Sequence, residues 1–297
     1  MSKIAVVADS GCQISLYGNL NGIYIVPLQV MIEQDTYLDG QPEDMKENPS
    51  IIDSKTTFER MDKENVIPKT SQPTTGALVE TFAKIKEDGY DEVIAISIAT
   101  GLSSTLNGMK LAADMIGIPV TLIDSKGTAR NHRYLVEIAD RLVKEGKTSQ
   151  EIKVVLEELV ENSATLIYAS NLDHLRKGGR ITPAVAMLGN MLKIVPVMKL
   201  NYSLGGKIDS LTKVRTIRKA NVTIINHLVA CGVNQDEYIV TIEHVDDEAT
   251  ANEMIALVKE KFGPNLETVV GYLPSVVGVH MGIGGMGYQY IKKYKAK

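Results

Sequence analysis

Glu92-Val93-Ile94-Ala95-Ile96-Ser97-Ile98-Ala99-Thr100-Gly101-Leu102-Ser103-Ser104-Thr105 joins a short apolar run to a turn crowded with hydroxyls. Such a run reads as a strand buried on both faces. Leu106 to Ile116 then carries apolar residues at helical spacing, so the segment reads strand, turn, helix. The same grammar appears at Lys3 to Ala8, ending in Asp9-Ser10, and at Val120 to Ile123, ending in Asp124-Ser125. Gly76 to Lys86, Tyr134 to Leu142 and Ser149 to Val160 supply further helical patterns. Strands alternating with helices imply an α/β unit with a parallel sheet, whose ligands bind beyond the carboxyl ends of the strands, where these polar turns sit.

The flanking segments read differently. Tyr24 to Ile32 is strand-like and suits the sheet edge, and Tyr37 to Pro68, with Pro42, Pro49 and Pro68, reads as a long excursion holding one short helix near Phe58 to Lys63. A second, mixed α/β unit starts near Ala164, which divides the chain into expected domains of residues 1–163 and 164–297. In it, Thr165 to Ala169 is a strand, and Asn171 caps a short helix ending at Gly178-Gly179. Gly205-Gly206 turns a hairpin between Val195–Leu200 and Ile208–Leu211. Arg215 to Val229 and Asp247 to Phe262 read as helices, and Tyr238 to His244 and Thr268 to Leu273 as strands. Met187, Met191 and Met198 read as core filler, although flexible Met side chains would also suit the wall of a ligand cavity.

Composition excludes several classes. A formal net charge of -4 with only local basic clusters gives no footprint for nucleic acid. Cys12 and Cys231 lie far apart and in no metal-ligand spacing, so neither disulfides nor a metal site is expected. Ile4 to Ala8 is too short for a signal peptide and no later apolar run reaches spanning length, so the expectation is a cytoplasmic protein.

The hydroxyl clusters carry the chemistry. Thr70-Ser71-Gln72-Pro73-Thr74 and Thr100 to Thr105 each stand just ahead of a helical stretch. A helix N-terminus has unpaired N–H groups and partial positive charge, so hydroxyls gathered there make a seat for a small anion, or else they are ordinary N-caps. Near the end, Gly282, Gly284 and Gly287 satisfy G-x-G-x-x-G, yet too few residues follow to complete a dinucleotide unit. These glycines read instead as close backbone approach or a strand near a ligand, with His280 beside them as a core or a site residue. Ser103 or Ser104 with His280 also leaves open a serine-dependent lipid ester hydrolase, although no G-x-S-x-G elbow is present.

Asp9-Ser10, Thr70-Ser71-Gln72-Pro73, Gly101-Leu102-Ser103-Ser104-Thr105, Leu172 to Ile181, Lys213-Val214-Arg215 and Gly278-Val279-His280-Met281-Gly282 occur in the order found in the DegV family, which the chain resembles from about Lys3 to Gly284. The resemblance implies a two-domain α/β fold, an N-terminal parallel-sheet domain plus a C-terminal mixed domain, with a ligand tunnel between them. It implies a non-enzymatic protein similar to the FakB subunit of bacterial fatty acid kinase. Such a subunit binds a long-chain fatty acid and presents its carboxylate to an ATP-dependent fatty acid kinase subunit for acyl-phosphate formation, feeding phospholipid metabolism. No cofactor is implied, and transient membrane contact would serve acyl exchange.

Residue by residue, the resemblance makes Thr70 and Ser103 the hydroxyls that hold the carboxylate, with His280 close by. Ser71, Ser104 and Gly282 in the matching motifs are further candidate ligand-binding residues, as are Asp9 and Ser10, which order the floor of the site. Arg180 is a candidate for the pocket mouth or for partner contact, and Arg176 for partner contact. Three positions depart from the family pattern. Ser104 stands where Leu-Ser-Gly-Thr has glycine, Val195 where Ile-Lys-Pro has lysine, and Ile283 where Gly-Pro-Gly has proline. These differences bear on acyl selectivity and kinase docking.

Overall fold

In the computed structural model, which describes residues 2–18, 21–169, 172–187 and 194–296, the apolar runs become strands. In chain order these are β1 (Ile4–Asp9), β2 (Ile23–Val26), β3 (Gln29–Ile32), β4 (Asp35–Asp39), β5 (Ile51–Ile52), β6 (Lys69–Ser71), β7 (Glu92–Ser97) and β8 (Val120–Asp124). After them come β9 (Ser163–Tyr168), β10 (Val195–Asn201), β11 (Asp209–Val214), β12 (Tyr238–His244), β13 (Glu267–Tyr272) and β14 (Met286–Lys292). The described residues form an all-parallel sheet ordered β2-β1-β7-β8, a mixed sheet ordered β11-β10-β9-β14-β12-β13, and a small sheet ordered β5-β4-β3-β6.

Burial on both faces explains the apolar runs. β1 is buried at all six positions. Ala5 and Val7 with Val93 and Ala95 meet the helices Thr75–Glu87 and Thr105–Ile116. Ile4, Val6 and Ala8 with Ile94 and Ile96 meet Ala129–Lys144 and Ser149–Glu161 on the other face, as the period of two in a strand requires. Those two helices also touch Ile239 and Ile291 of the mixed sheet, so they form a layer between the sheets. The second of them starts at a capping box, with Glu151 N–H bonded to Thr148 Oγ1 and Thr148 N–H to Glu151 Oε2. The far face of the mixed sheet is covered by Ile217–Ala230 and Glu248–Phe262 through Ile224, Leu228, Met254 and Val258.

Several expectations change. The strand expected over Tyr24 to Ile32 is two strands, because Pro27 stops β2 at Val26 and the chain re-enters the small sheet as β3. The excursion from Tyr37 to Pro68 carries the end of β4, all of β5 and an eleven-residue helix, Ser54–Glu64, capped by Asp53 Oδ1 at 2.8 Å from Thr56 N. Thr70 and Ser71 belong to β6 rather than to a helix start; Thr74 is the cap, its Oγ1 3.1 Å from Ala77 N. The glycine-rich end begins as a helix, Ser275–Met281, and becomes a strand only at Met286. Met198 is in the core, but Met187 is 84% exposed and fills nothing. Asn171 and Met191 lie outside the described residues. No helix among the described residues is long and apolar enough to cross a membrane.

Candidate functional site

Residues from the small and mixed sheets, the loops that follow strands of all three sheets and the Ser275–Met281 helix line a cavity. Leu28, Ile98, Ile167, Leu200, Leu273 and Val276 supply most of its wall, all buried and apolar. Thr70, Ser71, Gln72, Ser103, Arg180 and His280 make one polar stretch of it. This is the composition of a site for an elongated apolar ligand carrying one polar end.

Thr70 is brought there by β6, which pairs antiparallel with β3 at Val30↔Thr70. His280 comes from the Ser275–Met281 helix, 210 residues further on, and its Nε2 lies 2.8 Å from Thr70 Oγ1. Burial holds the imidazole at about 4, with Arg180 and His174 adding smaller repulsions, so the ring is neutral at neutral pH. The close approach that seats the ring depends on Gly178, at the end of the Asp173–Gly178 helix: a Cβ there would overlap His280 Nδ1. His174 Nδ1, on the same helix, bonds to Val279 O at 2.9 Å and fixes the two helices together.

Ser103 sits at the foot of the Thr105–Ile116 helix. Its Oγ is 2.8 Å from Thr105 Oγ1 and accepts from Thr105 N–H at 3.3 Å, so the hydroxyl lies over the positive end of that helix. Arg180 ties the two halves of the polar wall. Its Nη1 donates to Gly178 O and its Nε to Leu102 O at 3.4 Å, and no carboxylate lies within ion-pair distance among the described residues. Thr70, Arg180 and His280 also border an open depression whose other residues include Lys69, Lys177 and His174, with no carboxylate among them. The polar wall is therefore shared between an apolar interior and a basic exterior.

The remaining sequence candidates lie elsewhere. Asp9 is fully buried below the cavity, its carboxylate accepting from Gly11 N at 3.1 Å and Ile98 N at 2.8 Å, and burial pushes its pKa up. Ser10 donates to Asp39 Oδ2 at 2.7 Å and accepts from Leu28 N–H at 3.0 Å, which holds the turn after β1 against the small sheet. Neither lines the cavity. Ser104 is exposed at the cap of its helix, and Gly282, with φ of 74°, packs its Cα side against the His174 ring. Arg176 pairs with Asp173 at 2.8 Å on an exposed helix face, outside both the cavity and the depression. The cavity also includes Thr128 and Thr165, which the sequence did not single out; they are isolated threonines in no motif.

The model of the family described as "Uncharacterised protein, DegV family" matches residues 3–293. The chain belongs to the DegV family. Among DegV relatives, Protein DegV of Bacillus subtilis is 30% identical over 288 residues, covering 96% of this chain and 98% of that protein. The crystal structure of DegV, a fatty acid binding protein from Bacillus subtilis, superposes with a TM-score of 0.83 at 28% identity, covering 99% of this chain and 100% of that one. The fatty acid binding DegV family protein from Streptococcus agalactiae reaches a TM-score of 0.87 at 24% identity over 99% of this chain and 100% of that one, a likeness of fold. The DegV architecture, an all-parallel sheet followed by a mixed sheet, is the one described above.

Proposed function

We propose that this DegV protein binds a long-chain fatty acid in the cavity, with the carboxylate at Thr70, Ser103 and His280. In this reading it presents that carboxylate to an ATP-dependent fatty acid kinase subunit in the cytoplasm. The observation that carries the reading is the division of the cavity into an apolar interior and one polar wall that also borders a basic depression. The description of Bacillus subtilis DegV as a fatty acid binding protein supports it independently.

The energetics fit such a division of labour. A sixteen-carbon chain buries about 14 methylenes at about 0.8 kcal/mol each, roughly 11 kcal/mol gross. Association and ordering cost about 4–15 kcal/mol, so the apolar wall supplies affinity and the hydroxyls supply orientation. Neutral donors and a neutral imidazole hold a carboxylate without burying a salt bridge, which leaves its oxygens available for phosphoryl transfer. Lys69 and Lys177 outside that wall, with Arg180 at its border, suit the approach of an anionic phosphate donor. Loading and release would take place at a membrane surface.

The hydrolase alternative finds less support. Ser103 is bonded to Thr105 and His280 to Thr70, so the hydrogen bonds do not assemble a serine-histidine-carboxylate relay. Mass spectrometry of the organic extract of the purified protein is the direct test. A stoichiometric long-chain acid is expected. With a competent kinase subunit and ATP, Thr70→Ala and Ser103→Ala should bind the acid less tightly and lose most acyl-phosphate formation. An empty protein that takes up no added palmitate or oleate would overturn the proposal.

A further inference from the structure

Besides the residues of the polar stretch, the cavity wall includes two buried threonines whose hydroxyls have hydrogen-bonding capacity that is not used. Thr128 is 2% exposed and its Oγ1 has no hydrogen-bond partner. Thr165 is 3% exposed and accepts from Gln289 Nε2 at 3.2 Å, but its own O–H has no acceptor among the described residues. The two come together because the same Gln289 Nε2 also donates to Thr128 O at 3.0 Å, while Gln289 Oε1 is held by Asn131 N–H at 3.0 Å. Gln289 is completely buried, so the pair stands on a fixed support that joins β9, β14 and the start of the Ala129–Lys144 helix.

An aliphatic chain has no use for this arrangement. Valine has the shape of threonine without the hydroxyl, and a hydroxyl buried without a partner is unfavourable. A wall built only for methylenes would be better made of valine at both positions. We propose that this part of the cavity receives a hydroxyl carried on the acyl chain, so that the ligand class includes hydroxy fatty acids. Such a group can accept from Thr165 O–H and donate to Thr128 Oγ1, engaging both side chains at once. One rotamer step of Thr128 exchanges its methyl and hydroxyl at the wall. The inference rests on the reading of the cavity as an acyl site.

The test is a competition binding assay on the full chain. It compares stearic acid with a panel of hydroxystearic acids in which the hydroxyl is moved along the chain. For the isomer whose hydroxyl reaches the pair, wild type should favour the hydroxy acid over stearic acid by about threefold to tenfold, the worth of one or two ordinary hydrogen bonds. Thr128→Val and Thr165→Val should each abolish that ratio, and Thr128→Ser, which keeps the hydroxyl, should preserve it. Thermal melts that match wild type will show that the variants fold. Tighter binding of stearic acid than of every isomer, or a ratio indifferent to both valine variants, would overturn the inference and leave fatty-acid binding standing; the hydroxyls would then serve a buried water. Failure of both stearic acid and its hydroxy derivatives to bind would remove the inference together with the acyl reading.

Discussion

His280 makes the folded state sensitive to acid in a way that can be isolated by one substitution. Its imidazole is held at about 4 in the folded protein, against 6.5 for the free group, chiefly by burial. Between those values the unfolded chain binds the proton that the folded chain refuses, so stability is full above about 6.5 and is lost as the pH falls toward 4. At about pH 5 the contribution amounts to about 2 kcal/mol, most of the roughly 3 kcal/mol that the whole shift represents. Other buried groups complicate the wild-type curve. His132 and His244 are shifted down by burial and act in the same direction. Asp39, pushed up to about 7, and Glu243, pushed up to about 8, act in the opposite one, since they are protonated when folded and lose stability as the pH rises above the usual carboxylate range. The comparison is therefore between wild type and His280→Gln, with urea unfolding free energies measured at several pH values between about 7 and 4.5. Glutamine can keep a hydrogen bond to Thr70 but cannot titrate. The two curves should converge on lowering the pH by about 2 kcal/mol relative to their separation at neutrality. Parallel curves across that window would refute the argument that the ring is buried as a neutral group.

Gly178→Ala should cost about 1–3 kcal/mol, because its methyl must displace the His280 ring, and it should weaken fatty-acid binding as the Thr70 contact opens; unaltered urea midpoints and affinity would count against the packing argument. Ser10→Ala should destabilise by about 1–3 kcal/mol, since it strands the Leu28 N–H and removes a donor from Asp39, a loss that denaturant titration will register. Val277→Trp should fill part of the cavity and exclude long acyl chains while the fold survives; the sequence has no other tryptophan, so its fluorescence reports directly on whether the site is blocked. Thr148→Ala should cost about 0.5–2 kcal/mol through the lost capping box, with no effect on ligand binding.

The parallel sheet was legible because β1 and β7 are buried on both faces, and such strands have to be written as continuous apolar runs. The small sheet was not. β4, Asp35–Asp39, faces solvent at its first two residues and has no alternating apolar pattern, and β5 is two residues long. The Ser275–Met281 helix was obscured by Gly278, a poor helix former that is tolerated because any side chain there would strike Phe58. In the candidate site, Thr70, Ser103 and His280 could be named from their motifs, but the hydrogen bond between His280 and Thr70 is set by packing across 210 residues. Thr128 and Thr165 left no local signal, since an unused hydroxyl becomes visible only when its surroundings are known.

The position of β14 in the mixed sheet imposes an order of events on the newborn chain. This last strand lies between β9 and β12, bonded to both along most of its length, so before it arrives those two strands present bare edges to each other. A ribosome-bound chain that has completed everything up to Leu273 still has no closed second sheet. It also lacks the helix that carries His280 and the Gln289 amide that holds Thr128 and Thr165. Under the proposed function, capture of the acid would wait until this region has been made. In the interval, the open strand edges are the most vulnerable part of the molecule to mispairing with neighbouring chains.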